Sequence, residues 1–276
     1  MLRSGRVWVL VVGLAAAMGL IMPEAKAGDE EFDNSKFKLQ LNGWVSQPTG
    51  YFNGPDHNGY FDLQKDFGFG NYATFSGKLD WRFKRKHHLL FGATPALSSR
   101  TTTITRTITW QGQTYDVGAR VNADIKSLFF TPGYQWDILR RKSGFLGLLV
   151  NCNLASTDAT LKVTGTASGV GSASQSSSGS LFVPLPAVGP DFKWYPIPDN
   201  GRFYLDGAFT GMSFFGYGNF LSSNAVMGFP VSKHWDARVG YLWGSRLKID
   251  DSNSNISLRL VQKGPVFGFE YHWGTR

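Results

Sequence analysis

The sequence predicts an all-β protein, a transmembrane antiparallel up-and-down β-barrel, and two observations carry this prediction. The first is strict alternation in the segment ATFSGKLDWRFKRKHHLLFGATPA, residues 73–96, where Phe75, Leu79 and Trp81 alternate with Lys78 and Asp80. Successive side chains of a strand point to opposite faces, so one face is apolar and the other is polar. The second observation is that this pattern recurs along the chain, whereas no later apolar run reaches the ~20 residues of a membrane helix.

The bulk of the apolar face excludes a soluble barrel. A barrel of about eight strands has an interior just wide enough for side chains to fill it. Rows such as Phe75, Leu79, Trp81 and Phe83, repeated on each strand, do not fit into that space. Aromatic residues facing lipid and charges facing a polar lumen remove the conflict, which is the pattern of a membrane-spanning barrel strand.

Counting the alternating segments gives ten strands, with eight as the alternative if the pair around Gly216 is one irregular excursion. Short basic or Pro/Gly turns alternate with longer polar loops, as in an up-and-down barrel. The Ser/Gly-rich run 167–180 is predicted to be a flexible outer loop. The alternation changes phase near Lys126 and near Lys263, which predicts bulges where strands leave the membrane and continue above it.

The N-terminal residues 1–27 have the features of a secretory signal peptide: a basic start, an apolar run and an Ala-Lys-Ala end. We expect cleavage after Ala27. An uncleaved anchor is disfavoured because the apolar run is shorter than a spanning helix. The mature chain is then divided into a periplasmic N-terminal segment, 28–35, and the transmembrane β-barrel domain, 36–276.

The closing segment GPVFGFEYHW, residues 264–273, adds a resemblance to the signal peptide and the alternating strands. Together they resemble bacterial outer-membrane β-barrel proteins, whose terminal strand is recognised by the outer-membrane assembly machinery. Here three residues, 274–276, follow the terminal aromatic. The resemblance implies the cell outer membrane as the location, with the lipid bilayer and lipopolysaccharide as surroundings. Barrels of this kind serve many functions, so the fold does not supply one.

The polar face carries five charges of each sign, which we predict to point into the lumen. They are Lys38, Lys78, Arg82, Lys193, Arg238, Asp80, Asp191, Asp206, Asp236 and Glu270. Buried charges are costly unless they are paired, so equal numbers favour a salt-bridge network that plugs a structural barrel. The alternative is a narrow porin-like passage for small polar solutes, with the charges setting selectivity. Ten strands are too few for a wide porin.

Seven aromatic residues fall beside the predicted short turns. Such a ring is typical of the aromatic girdle at a membrane interface, here the inner one. The predicted girdle residues are Trp81, Phe83, Trp136, Trp194, Phe203, Trp235 and Trp273.

An enzyme is the alternative function, either a protease or a lipid-A-modifying type, with its site at the outer loops. The candidate groups are His57 beside Asp56, then Asp62 and Asp66, and the pair 250–251. A histidine with a carboxylate can activate water or a hydroxyl group. No spacing marks a catalytic set or a metal site, so we expect no catalytic residue, no metal ligand and no cofactor.

Charge and cysteine content limit the partners. The net charge of +8 comes without a Lys/Arg stripe interleaved with aromatics, so nucleic acid is not an expected partner. The single cysteine, Cys152, excludes an intramolecular disulfide. We expect a monomer.

Overall fold

A computed structural model describes residues 35–53, 61–66, 68–110, 113–167, 171–197, 203–214, 218–251 and 256–275. The predicted signal peptide and all but one residue of the predicted segment 28–35 lie outside these residues and remain predictions. Among the described residues, no helix is long and apolar enough to cross a membrane.

Thirteen strands make up the described structure, three of them short. In chain order they are β1 (Ser35–Asn53), β2 (Phe61–Asp62), β3 (Tyr72–Lys84), β4 (His87–Thr103), β5 (Ile108–Trp110), β6 (Gln113–Tyr115), β7 (Arg120–Arg141), β8 (Gly144–Ala167), β9 (Gly171–Trp194), β10 (Tyr204–Phe214), β11 (Gly218–Pro230), β12 (Trp235–Asp251) and β13 (Ile256–Thr275).

Ten of these strands form a closed antiparallel barrel in the order β1-β3-β4-β7-β8-β9-β10-β11-β12-β13. The first and last strands close the ring, with Phe37 opposite Trp273 and Leu41 opposite Phe269. The prediction of ten strands is confirmed, and the eight-strand alternative is wrong. The strands before and after Gly216, β10 and β11, are two separate strands that pair along their length.

The barrel has two different ends. At one end, consecutive strands are joined by the short turns after Lys84, Arg141, Trp194 and Pro230, and we call this the short-turn end. At the opposite end β7, β8 and β9 extend furthest, because they are 22, 24 and 24 residues long. A tilted strand needs only about 9–11 residues to cross a bilayer. These three strands are therefore about twice as long as a membrane requires.

The side chains that point outward change character along these long strands. On β8 they are apolar from Leu146 to Leu154, a span of nine residues, and polar from Ser156 onward. We call the apolar part of the barrel the belt region and the part beyond it the extension. Exposed residues such as Asp124, Lys126 and Asp158 cover the outside of the extension, while Val121 and Val163 are buried inside it.

The predicted phase change near Lys126 has a different origin from the one expected. Strand β7 passes this point without a register shift, with Leu128 opposite Ser156 and Lys126 opposite Asp158. The same faces keep pointing inward and outward, and only the chemistry of the residues reverses. Near Lys263 the expected irregularity exists but lies on the neighbouring strand, between Leu242 and Ser245 of β12.

Residues 171–180 of the Ser/Gly-rich run form part of a strand and not the predicted flexible loop, whereas residues 168–170 lie outside the described residues. Strand β9 begins at Gly171 and pairs with β8 without interruption, from Ala167 opposite Gly171 to Gly144 opposite Trp194. Backbone hydrogen bonds to β8 hold this run, and alternate serines such as Ser174 and Ser178 are exposed on the outer face. The composition of this run predicts a loop because it has no apolar face, but the partner strand β8 orders it nevertheless.

Candidate functional site

The lumen of the belt region at the short-turn end contains a chain of charged side chains on β1, β3, β4 and β7. Lys38 Nζ lies 3.9 Å from Asp80 Oδ2. His88 lies between two carboxylates, with Nδ1 2.8 Å from Asp80 Oδ1 and Nε2 3.2 Å from Asp137 Oδ2. Arg140 Nη1 donates to Asp137 at 2.7 Å. Carboxylates only accept hydrogen bonds, so His88 bonds to both only as an imidazolium that donates from each nitrogen.

A second group of charges spans the lumen itself. Lys193 Nζ on β9 donates to Glu270 Oε1 on β13 at 3.2 Å, although three strands lie between β9 and β13. Gln40 Nε2 donates to Glu270 Oε2 at 2.7 Å, and Arg238 Nη2 donates to Asp206 at 3.0 Å. Strands β9 and β13, which are four positions apart in the ring of ten, are therefore connected across the lumen.

The structure places the ten predicted lumen residues on inward-facing positions of six strands. Lys38, Asp80, Arg82, Asp191, Lys193, Asp236, Arg238 and Glu270 are buried, whereas Lys78 and Asp206 are half-buried. Asp236 Oδ1 lies 3.2 Å from His272 Nε2. The contacts bring most of these residues together but not all: no described residue forms an ion pair within 4.0 Å with Lys78 or with Asp191.

Sequence reasoning missed five polar members of the two groups. They are Gln40, His88, Gln135, Asp137 and Arg140. Asp137 alternates with the aromatic Trp136 and so lies on the polar face of β7, but it is not among the ten predicted lumen charges. His88 follows the basic run 84–86 closely in the sequence, which suggests a turn residue, but β4 already begins at His87. Extending the inward parity of β4 from Leu90 back to His88 is the signal that would have found it.

The seven predicted girdle residues lie at the short-turn end. Trp81, Trp136 and Trp235 are exposed, and Phe83, Trp194, Phe203 and Trp273 are half-buried. Around the closure of the ring, Phe37 stacks between Trp81 and Trp273, with centroid distances of 6.2 and 5.4 Å.

A polar cavity of about 300 Å³ adjoins the charged residues in the middle of the lumen. Both Lys78 and Asp191, which lack a direct ion pair, face it, together with amide and hydroxyl side chains. Its polar lining includes Gln40, Lys78, Asn151, Asp191, Asp206 and Asn224.

A second cavity lies in the lumen on the side of the extension, and we call it the apolar chamber. It has a volume of about 250 Å³ and contains no charged side chain in its lining. Its wall is formed by inward-facing residues of the barrel and by Leu63 and Phe69 from the segment before β3. The apolar lining includes Pro48, Phe129, Val183, Leu185, Leu247 and Leu260.

The outer-loop carboxylates that suggested an enzyme have structural partners where the structure describes them. Asp66 accepts two hydrogen bonds from Arg106, Nε to Oδ1 at 3.0 Å and Nη2 to Oδ2 at 2.6 Å. Asp62 Oδ1 accepts from the amides of Gln64 and Lys65, each at 2.9 Å. These two carboxylates hold the turn in place.

The electrostatics of Asp66 follow from these contacts. Burial raises the pKa of the Asp66 carboxyl, but the hydrogen bonds from Arg106 and from the Asp62 amide outweigh it and leave the pKa below its ordinary value. The hydrogen bond to Asp66 raises the pKa of Arg106. Asp56 and His57 lie outside the described residues, as do the side chains of Asp250 and Asp251. No cluster of three or more His, Cys, Asp or Glu side chains suited to a metal occurs in the described ranges.

Comparisons with solved structures identify the architecture. The chain is similar to the outer membrane protease OmpT from Escherichia coli, with a TM-score of 0.61 and 12% identity over 90% of this chain and 100% of that one. Similarity to the transport unit of the autotransporter AIDA-I from Escherichia coli has a TM-score of 0.43 and 9% identity, covering 95% and 98%. For Ail, the attachment invasion locus protein of Yersinia pestis, the values are 0.37 and 11%, covering 86% and 99%.

No protein-family model and no curated protein sequence matches the chain. At such low identities the structural similarity shows the fold alone. The fold is that of bacterial outer-membrane β-barrels, as the alternating strands predicted.

Proposed function

We propose that this chain is an integral outer-membrane protein whose lumen is closed by charged side chains, so that it is a plugged structural barrel and not an open channel. The observation that carries the proposal is the ion pair between Lys193 and Glu270, which crosses the lumen at 3.2 Å. Both residues are almost fully buried, as are His88 and Asp137 beside them. A ten-stranded interior is little wider than the filled eight-stranded one, so these side chains occupy most of its width.

The proposed location is the outer membrane, reached after cleavage of the signal peptide behind Ala27 and insertion by the assembly machinery. The belt region supports a membrane location, because β7, β8 and β12 each present about nine residues with an apolar outer face. The closing strand β13, which has the aromatic residues Tyr271 and Trp273 near its end, supports recognition by that machinery. The chain would act as a monomer with the short-turn end in the periplasm.

Lipopolysaccharide is the proposed neighbour of the barrel just beyond the belt region. On β12 and β13 the apolar outer face is followed directly by the exposed cations Arg246, Lys248, Arg259 and Lys263. Lys248 and Arg259 are opposite each other in the sheet. Lys and Arg side chains just beyond the belt region could form charge-assisted hydrogen bonds with the phosphates of lipid A.

Replacing all four cations by Gln should weaken co-purification of lipopolysaccharide with the barrel. Unchanged co-purification in that variant would contradict the proposed contact. Replacing Lys36, an exposed cation at the short-turn end, by Gln is the matched control.

Single-channel conductance of the refolded mature chain in a planar bilayer tests the plugged barrel. The native protein should produce no discrete current steps, whereas Glu270→Ala should produce them, because it removes the carboxylate that joins Lys193 and Gln40. Asp158→Ala, on the exposed outer face of the extension, is the control and should be silent. Discrete, charge-selective steps from the native protein would overturn the proposal.

A narrow passage for small polar solutes is the second candidate function. The polar cavity favours it, because Lys78 and Asp191 face a space of about 300 Å³ without a direct ion pair. In this case native conductance would depend on both residues, and Lys78→Ala or Asp191→Ala would change the ion selectivity of the steps.

An outer-membrane enzyme remains the third alternative. The solved barrel OmpT is a protease. Support for such an activity here is limited to the fold similarity and to the loop residues His57 and Asp250 in the sequence. Hydrolytic activity that is lost in His57→Ala or Asp250→Ala would support the enzyme. A native barrel that neither conducts nor hydrolyses would support the structural function.

A further inference from the structure

We propose that the apolar chamber is a binding site for a small neutral hydrocarbon, of the size of a two-ring aromatic with about ten carbon atoms. This site is separate from the charged residues at the short-turn end, so the proposal does not depend on whether the lumen conducts.

The polar groups of the chamber do not require water. Gln262 Nε2 donates to the Tyr72 hydroxyl at 2.8 Å, and the hydroxyl groups of Ser127 and Thr157 are hydrogen-bonded to each other at 2.9 Å. These four residues supply the polar side chains of the lining, and each is already engaged with a neighbour. A buried water needs two to four polar partners, and a cavity without them stays dry.

The size of the chamber selects among apolar molecules. An apolar cavity of about 150 Å³ accommodates benzene, which has six carbon atoms. At the same volume per carbon atom, the chamber of about 250 Å³ has room for about ten carbon atoms. Charged solutes are disfavoured because the lining contains no group that could pair with them.

The chamber is held open by its surroundings. Phe129 and Ala155 belong to β7 and β8, which at these positions have paired strands on both sides. Leu185 belongs to β9, which pairs there with β8. On the remaining side, the amide of Leu63 donates to Gly50 O at 3.1 Å and the amide of Phe69 donates to Leu63 O at 3.0 Å. Walls that cannot collapse leave a void whose lining lacks contacts, and an apolar occupant would supply them.

Binding of 1-fluoronaphthalene to the full mature chain in nanodiscs, followed by fluorine NMR, tests the proposal. Native protein should give a bound resonance that nanodiscs without protein lack. Ala155→Phe places a ring into the chamber and should weaken binding at least tenfold. Leu154→Phe changes the adjacent residue, whose side chain points outward to the belt, and should leave affinity within about twofold.

Folding of each variant is checked by its heat-modifiable migration in electrophoresis. Should Ala155→Phe fail to fold, Ser127→Leu fills the chamber from β7 and should have the same effect. A native protein without a bound resonance, whether the chamber is empty or holds a lipid acyl chain, overturns the proposal. Equal binding by a folded filling variant and by Leu154→Phe does so as well.

Discussion

The belt region and the extension are built from the same strands but have opposite polarity. In the belt region β8 presents Leu148 and Val150 to the outside, and the lumen beside it contains charged residues. In the extension the same strand presents Asp158 and Lys162 to the outside and buries Val163. The register with β9 continues across the boundary without a shift. The alternation of residue types therefore reports the solvent on each face and not the geometry of the strand.

The largest effect is expected from removing a buried lumen charge in the belt region. Glu270→Ala removes the shared partner of Lys193 and Gln40, and a buried cation without its carboxylate should cost about 3–5 kcal/mol of unfolding free energy. Urea unfolding in lipid vesicles, followed by tryptophan fluorescence, measures the loss. Asp158→Ala in the extension removes an exposed carboxylate and should change the free energy by less than about 0.5 kcal/mol. Similar losses in the two variants would contradict the assigned polarity.

Arginine substitutions at two outward positions of one strand test where the outer face contacts lipid. Val150→Arg puts a charge into the middle of the belt on β8 and should cost about 2–4 kcal/mol, because the side chain would face hydrocarbon. Thr160→Arg, ten residues further on the same outward face, should stay within about 0.5 kcal/mol of the native protein. The same urea unfolding experiment measures both. A loss at Thr160 as large as at Val150 would place lipid around the extension.

The smallest expected effect concerns the ion pair of Asp66 and Arg106 outside the belt. Because the pKa of Asp66 is depressed in the folded protein, its contribution is present above the unfolded value of 3.8 and is lost as pH falls through the folded value. Arg106 is half-exposed on its side chain, so the contribution should be about 1 kcal/mol or less.

The measurement is the difference in unfolding free energy between the native protein and Asp66→Asn across pH. It should stay constant from pH 7 to about pH 4 and disappear at lower pH. Asp124→Asn, which removes an exposed charge from the outer face of β7, is the control. A difference that persists unchanged at the lowest pH would show that the ionised carboxylate is not what stabilises the turn.

Most of the belt region could be predicted from the sequence, because each strand there has one face toward lipid and the other toward a polar lumen. Phe75 and Lys78 reveal their faces directly, and the ten-strand count follows from repeats of that contrast. The extension is harder to read, because strands such as the Ser-rich part of β9 have a weak contrast and acquire their structure from the partner strand β8.

The two cavities could not be predicted from the sequence at all. The lining of the apolar chamber comes from positions as distant as Pro48, Phe129 and Leu260. Each appears in the sequence as an isolated apolar residue on an inward face, and only closure of the barrel shows that they meet. The charged lumen was easier, since paired signs on one face indicate salt bridges, but the partners of His88 depend on the exact register of β3, β4 and β7.

Closure of the ring by β1 and β13 has a consequence for the order of folding. Gln40 and Glu270 are 230 residues apart in the chain and form their hydrogen bond on the first and last strands. Contacts of such high sequence separation form late, because the chain between them must be ordered first. Until β13 is in place, β1 and β12 are open edges, and the hydrogen bonds from Lys193 and Gln40 to Glu270 are not formed. An unfinished barrel therefore differs from a finished one in two ways: it has two unpaired strand edges, and its lumen lacks the carboxylate of Glu270. The docking of β13 removes both differences in one step.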